Sequence, residues 1–240
     1  MDFVDFYNQI KEKLEKINIS LGENSAQKLY QYMKMVIEWN EKINLTAIIE
    51  PKDFILKHFV DSLTVAREVE DDSKVIDVGT GAGFPGIPLK IENNSLNMVL
   101  LDSLNKRLNF LNEVIATLNL KNVETVHARA EEFSKNKKYR EKYDVTLSRA
   151  VAPLNVLLEY LLPLVKVGGK AICMKGSNAE EEIEDSKKAL EILGGKIETV
   201  KKMALPDTDI KREIIIVRKV KETPLKYPRK PGTPSKEPIL

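Results

Sequence analysis

The sequence predicts an α/β protein with a seven-stranded, mostly parallel sheet, an antiparallel hairpin at one edge and a helical cap ahead of it. Three observations carry this. The run Lys74 to Val78 is short, apolar and β-branched, as expected for a strand buried on both faces, and it leads directly into Gly79, Gly81 and Gly83. From Lys74 onward, strand-like and helix-like segments alternate, the pattern of a parallel sheet with helical crossovers. The first 72 residues show helical periodicity and no strand-like alternation.

Within that leading segment, Phe3, Phe6, Tyr7, Ile10, Leu14 and Ile17 follow the spacing of one amphipathic helix face. After a break at Gly22 to Ser25, Leu29, Met33, Val36 and Ile37 repeat it, and Trp39 and Asn40 close the second helix. Ile43 to Thr46 reads as a connector, and Pro51 opens a third helix carrying Phe54, Ile55, Phe59 and Leu63. His58, Asp61 and Ser62 lie three and four positions apart on it, which suggests a hydrogen-bonded surface cluster ahead of a direct catalytic role.

The sheet then follows in order. Strand Lys74 to Val78 is joined through the glycine turn to a helix with Pro88 in its first turn. A second strand runs from Leu96 to Leu101 and ends at Asp102, before a helix from Lys106 to Asn119. Val123 to His127 and Tyr143 to Leu147 are the third and fourth strands, and Pro153 starts a helix from Leu154 to Leu162. Gly168-Gly169 is expected to turn the chain into a fifth strand, Lys170 to Met174. A polar helix from Asn178 to Leu193 precedes Gly194-Gly195 and two facing strands, Lys196 to Ala204 and Arg212 to Val220. The expected division is 1–72 as a helical extension, 73–220 as the sheet domain, and 221–240 as a basic, proline-rich tail packed on or near it.

Glycines after a buried strand let a ligand approach the backbone, which is the arrangement of a nucleotide-type site at the carboxyl edge of a parallel sheet. A dinucleotide fingerprint would need glycine at position 84, where Phe84 stands, which disfavours an NAD-dependent dehydrogenase. No Gly-Lys-Ser/Thr triplet of a phosphate loop occurs. Asp77 leading into Gly79-Thr80-Gly81-Ala82-Gly83 instead resembles the S-adenosylmethionine loop of Rossmann-like (class I) methyltransferases. Asp102 ends the second strand, where a carboxylate offers two oxygens to the two ribose hydroxyls. Ala130 and Glu131 follow the third strand, where an adenine edge would lie. Ser148-Arg149-Ala150 ends the fourth strand, at the place where many amino-group methyltransferases carry Asn/Asp-Pro-Pro-Tyr/Phe. Its absence suits a target nitrogen with a free lone pair, so no catalytic acid or base is assigned; Arg149 and Lys175 are the candidates to orient such a substrate.

Composition narrows the remaining classes. The charged fraction of 31% and hydrophobic fraction of 42% are those of an ordinary globular chain. One cysteine, Cys173, and two histidines, His58 and His127, leave no cysteine-based zinc cluster, and no metal is expected. No apolar run reaches the roughly 20 residues that span a bilayer, and the first residues lack a signal-peptide pattern, so a cytoplasmic protein without membrane partners is expected. Net charge is only +2, yet Arg218 to Leu240 holds seven Lys/Arg against two Glu, with five of the eleven prolines. In this stiff segment Lys226, Arg229 and Lys230 could meet phosphates, and Tyr227 could stack on an unpaired base.

Five segments together point to one family: Asn44 to Ile48, Asp77 to Leu89, Leu101 to Arg107, Ser148 to Leu154 and Tyr227 to Pro234. They resemble the RsmG (GidB) family, bacterial methyltransferases that modify guanine N7 in the 530-loop region of 16S rRNA in the small ribosomal subunit. The resemblance implies S-adenosylmethionine as methyl donor, S-adenosylhomocysteine as product, and the ribosomal RNA or small subunit as partner. It also implies that Gly79, Phe84, Ala130, Glu131 and Arg149 match the family's cofactor contacts, so Arg149 would serve the cofactor as well as the substrate. Two other readings stand beside it: a class I methyltransferase acting on another RNA, a protein or a small molecule, and a non-catalytic module that binds S-adenosylmethionine and RNA.

Overall fold

The computed structural model describes all 240 residues. Its centre is one seven-stranded sheet in the order β3-β2-β1-β4-β5-β7-β6. The strands are β1 (Lys74–Val78), β2 (Asn97–Asp102), β3 (Val123–His127), β4 (Tyr143–Arg149), β5 (Val165–Lys175), β6 (Gly195–Ala204) and β7 (Lys211–Lys219). β1 to β5 pair in parallel, and β7 runs antiparallel to both β5 and β6. The reversed strand therefore sits one place in from the edge, and β6 forms the edge itself.

Alternate residues along each central strand feed two cores. Val75, Leu100, Leu147, Ile172 and Ile216 face a cluster of 39 buried residues on one side. Ile76, Leu101, Cys173, Ile215 and Val217 face a cluster of 23 on the other. This double burial explains why the strands read as continuous apolar runs. Burial also pushes the Cys173 thiol up to about 12, so it behaves as a small apolar side chain.

The first core reaches back into the N-terminal helices. α1 (Phe3–Lys16) is capped by Asp2, whose Oδ1 accepts from the Asp5 N–H at 2.9 Å, and it buries Phe6, Ile10 and Leu14 completely. α2 (Glu23–Asn40) starts inside the expected break and buries Leu29, Tyr32 and Val36. The Tyr32 hydroxyl donates to the Ala82 carbonyl in the glycine turn, so the cap braces the loop that follows β1.

Three local expectations need correction. The third helix opens at Pro51–Phe54, widens into a π turn at Ile55–Val60 and closes at Asp61–Leu63. His58, Asp61 and Ser62 are consequently buried rather than forming a surface cluster. Gly168-Gly169 lies within β5, where Gly168 at φ +85° accommodates a register shift against β4. A Cβ at Gly169 would come within 2.6 Å of the Asp144 carbonyl, so the strands could not approach as they do. The expected polar helix is two, Ala179–Glu184 and Lys187–Leu193, interrupted where the Ser186 hydroxyl donates to the Glu182 carbonyl at 2.6 Å.

After β7 the tail is tied down along the domain. Buried Lys219 contacts Thr223 Oγ1 at 2.6 Å and Glu141 at 3.0 Å, and burial lowers its ammonium to about 8. Arg140 donates to the carbonyls of Thr223 at 2.7 Å and Tyr227 at 2.9 Å. No helix is long and apolar enough to cross a membrane.

Candidate functional site: two cavities at the carboxyl edge

β1 delivers Asp77 into the floor of the glycine turn. Its Oδ2 accepts from the Thr80 hydroxyl at 2.7 Å and the Gly86 N–H at 2.9 Å, and the carboxylate is fully buried. Gly79, Gly81 and Gly83 adopt φ of +72°, +62° and +102°, which a side chain would resist. At Gly83 a Cβ would meet Tyr32 Oη at 2.6 Å and Leu111 Cδ2 at 2.8 Å. The next strand supplies Asp102, whose Oδ2 accepts from the Gly81 N–H and whose Oδ1 accepts from the Leu104 N–H, both at 2.9 Å. One buried carboxylate thus fixes the tip of the loop to the end of β2.

A cavity of about 270 Å³ opens beside this junction, lined by Gly79, Asp102, Ala130 and Glu131 among others. Small-molecule sites generally start near 300 Å³, so it suits part of a nucleoside-sized ligand. A second cavity, about 380 Å³, is lined by Lys57, His58, Asp61, Arg149, Lys175 and Arg212. Its lining holds four cationic side chains against one carboxylate. The end of β4 stands between the two: Ala150 faces the second cavity and Val151 the first.

Arg149 is the keystone of the second cavity. Its Nη1 donates to Asp61 Oδ2 at 3.0 Å and to the Lys57 carbonyl at 3.1 Å, and its Nη2 donates to His58 Nδ1 at 3.2 Å. The guanidinium carbon also lies 5.2 Å from the centre of the Phe84 ring. Because Arg149 can only donate, His58 Nδ1 accepts; Nε2 then carries the proton and donates to Thr46 Oγ1 at 2.8 Å. The imidazole stacks on Phe84 at 4.3 Å and 3°, and burial, followed by the charge of Arg149, lowers its pKa to about 3. Asp61 completes the unit by accepting from Arg212 Nε at 2.8 Å, so one carboxylate sets two arginines.

The family described as rRNA small subunit methyltransferase G (GidB) matches residues 25–215. The Ribosomal RNA small subunit methyltransferase G of Acetivibrio thermocellus is 56% identical over 222 residues, covering 92% of this chain and 91% of its own. That of Alkaliphilus metalliredigens is 50% identical over 232 residues, covering 96% and 97%. The chain belongs to this family. A SAM-dependent methyltransferase from Aquifex aeolicus superposes with a TM-score of 0.53 at 20% identity, covering 77% of this chain and 98% of that one. The fibrillarin pre-rRNA processing protein of Methanococcus jannaschii gives 0.50 at 17%, covering 63% and 69%. At such identities these two establish the Rossmann-like methyltransferase fold alone.

Within the GidB frame, the residues expected at the cofactor separate by position. Gly79, Asp102, Ala130 and Glu131 converge on the smaller cavity. Asp77 does not line it; it supports the glycine turn from beneath, with Gly83 packed on Tyr32 and Phe84 buried under Arg149 and His58. Gly81 contributes through its amide to Asp102. Lys175, expected to orient substrate, is already engaged: its Nζ meets the Ala152 carbonyl and Glu182 Oε2, each at 2.6 Å. It holds the loop after β4 instead.

The tail residues divide as well. Tyr227 is buried in the second core, so its ring cannot stack on a base. Arg229 pairs with buried Glu159 through Nε at 3.0 Å and Nη2 at 2.7 Å, and is not available to a phosphate. Lys226 and Lys230 remain exposed. Sequence reasoning missed Thr46, Arg212 and the inward turn of His58 and Asp61. The only sequence trace of the last two was their helical spacing.

Asp77 carries a testable pH signature. Burial raises its carboxyl from 3.8 to about 6, against the opposing hydrogen bonds from Thr80 and Gly86. Between those values the folded chain holds the proton that the unfolded chain has lost, so this group's contribution to stability falls as pH rises through the window. Asp77→Asn keeps an acceptor oxygen but carries no charge. Urea titrations from pH 4 to pH 7 should show the variant gaining on the parent by up to about 3 kcal/mol. Parallel pH profiles would mean that the Asp77 carboxyl does not titrate in this range.

Proposed function

We propose that the chain transfers the methyl group of S-adenosylmethionine to N7 of a guanine in the 530-loop region of 16S rRNA, acting on ribosomal small-subunit RNA in the cytoplasm. The carrying observation is the pair of cavities on either side of the β4 end, one with the carboxylate and open backbone of a nucleoside site, the other cationic. The names of the family and its curated members support the RNA substrate.

The smaller cavity fits the donor. Asp102 keeps acceptor capacity for ribose hydroxyls beyond its two loop amides and the Arg107 guanidinium at 3.4 Å, and Gly79, Ala130 and Glu131 present backbone and a carboxylate nearby. S-adenosylmethionine, when bound, supplies a methyl group already activated by its sulfonium. Guanine N7 holds a free lone pair at neutral pH, so the chain needs no general base. This agrees with a His58 that stays neutral, already spends Nδ1 on Arg149, and is too weak a base at about 3 to take a proton. The protein's work is alignment. Arg149, Arg212 and Lys57 offer donors to guanine O6 or a neighbouring phosphate, and Asp61 fixes the two arginines relative to each other. Fixed orientation of this kind can supply roughly 7–11 kcal/mol in the best intramolecular cases.

The test is to incubate purified protein and labelled methyl donor with small ribosomal subunits lacking the modification, then map the labelled nucleotide. Label at a guanine N7 in the 530-loop region is expected. Label on a different nucleotide would replace the target while keeping the enzyme class, and no transfer to any RNA would favour a binding module.

A further inference from the structure

The smaller cavity has a wall that the strand ends do not supply. Beside Gly79, Asp102 and Glu131 it is lined by Tyr160, Gly232 and Ser235, the last two from the tail. The Gly232 N–H donates to Glu131 Oε1 at 3.0 Å, at a residue whose φ of +82° favours glycine. Tyr160 Oη and Ser235 Oγ lie 3.0 Å apart, closing the strap onto the helix Leu154–Leu161. On one side the strap is anchored by Arg229 on Glu159, on the other by Ile239, which is buried in the core.

We propose that residues 230–235 form a wall of the cofactor site, and that Tyr160, Gly232 and Ser235 determine how tightly its adenosine half is held. This rests on the reading that the smaller cavity takes that half of S-adenosylmethionine. Two physical effects act together. A ligand between the strand ends and the strap is covered from both sides, which removes more of its surface from water than a one-sided cleft. The Gly232 amide also fixes the Glu131 carboxylate on one oxygen, so the other meets the ligand without first losing rotational freedom. The tail is therefore part of the cofactor site and not only a basic extension.

The experiment compares calorimetric Kd values for S-adenosylhomocysteine and 5′-methylthioadenosine, which lacks the amino-acid half. Three proteins are used besides the parent: a chain ending at Arg229, full-length Tyr160→Phe/Ser235→Ala, and Asp102→Ala. The truncated chain should bind both ligands about tenfold more weakly, and the double variant about threefold, as expected for losing one or two modest polar contacts. Circular dichroism checks the fold; if the truncated chain does not fold, the double variant decides. Unchanged Kd values in the folded strap variants, with Asp102→Ala impaired, would overturn the strap and keep the cofactor reading. Loss confined to S-adenosylhomocysteine would also overturn it, because the wall would then not face the adenosine half. If the parent binds neither ligand, the cofactor reading fails and the strap proposal with it.

Discussion

Arg149→Lys is expected to lose nearly as much methyl transfer as Arg149→Ala, with kcat/KM on ribosomal subunits reduced on the order of 10²-fold in both. The charge survives in lysine, but a single ammonium cannot reach Asp61, the Lys57 carbonyl and His58 Nδ1 as the guanidinium does. The Arg149 side chain is also only 14% exposed and lies beside the Phe84 ring, so a lysine there would trade a planar stack for a strongly hydrated head group. Asp61 keeps Arg212 as partner in either variant, which protects the fold and makes activity the informative readout. Full activity in the lysine variant would show that only positive charge is needed at this position.

Arg229→Ala should cost about 3–5 kcal/mol of stability, the scale for breaking a buried ion pair from one side. Glu159 is fully buried and takes three of its hydrogen bonds from the Arg229 guanidinium, leaving only the Arg229 backbone N–H when that side chain is removed. Replacing both partners, as in Arg229→Leu/Glu159→Leu, should recover much of the loss because no charge is then left buried. Urea denaturation followed by circular dichroism measures both effects. A single-variant loss below about 1 kcal/mol would place this pair among ordinary surface contacts.

What could be read from the sequence was what depends on near neighbours. The β1 run, the alternate glycines and Asp102 at the end of β2 all declare themselves within about 30 residues, because strand, turn and strand end each have their own local chemistry. The π turn at Ile55–Val60 does not, since no residue preference marks where one extra residue enters a helix. His58 and Arg149 are 91 positions apart, and Arg212 lies 151 beyond Asp61, so no spacing links them before the chain has folded. Tyr227 misled for a related reason. An aromatic among lysines and prolines looks like a stacking platform, until the Arg140 guanidinium draws the neighbouring carbonyls inward and the ring goes with them into the core.

The bracing of the glycine turn by the helical cap also fixes an order of events during synthesis. Phe6, Ile10 and Leu14 share one core with Ile214 and Ile216, and Lys16 meets Asp207 at 2.6 Å across 191 positions. The core that the N-terminal helices share with the sheet is therefore complete only when β7 has been made. α1 rests first on α2 and the π turn, through Phe6 against Tyr30 and Phe59. At about 5–20 residues per second this nearest cover follows within about 10 s, whereas the β7 share of the core comes roughly 10–40 s after α1. Contacts this distant in sequence also slow the search for the native pairing once the chain is complete. Tyr32, which steadies the glycine turn, thus waits only 50 residues for its partner Ala82, while the shared core stays open until β7. Substitutions that make the exposed face of α1 more apolar would be felt first as lost yield, before any change in the activity of the molecules that fold.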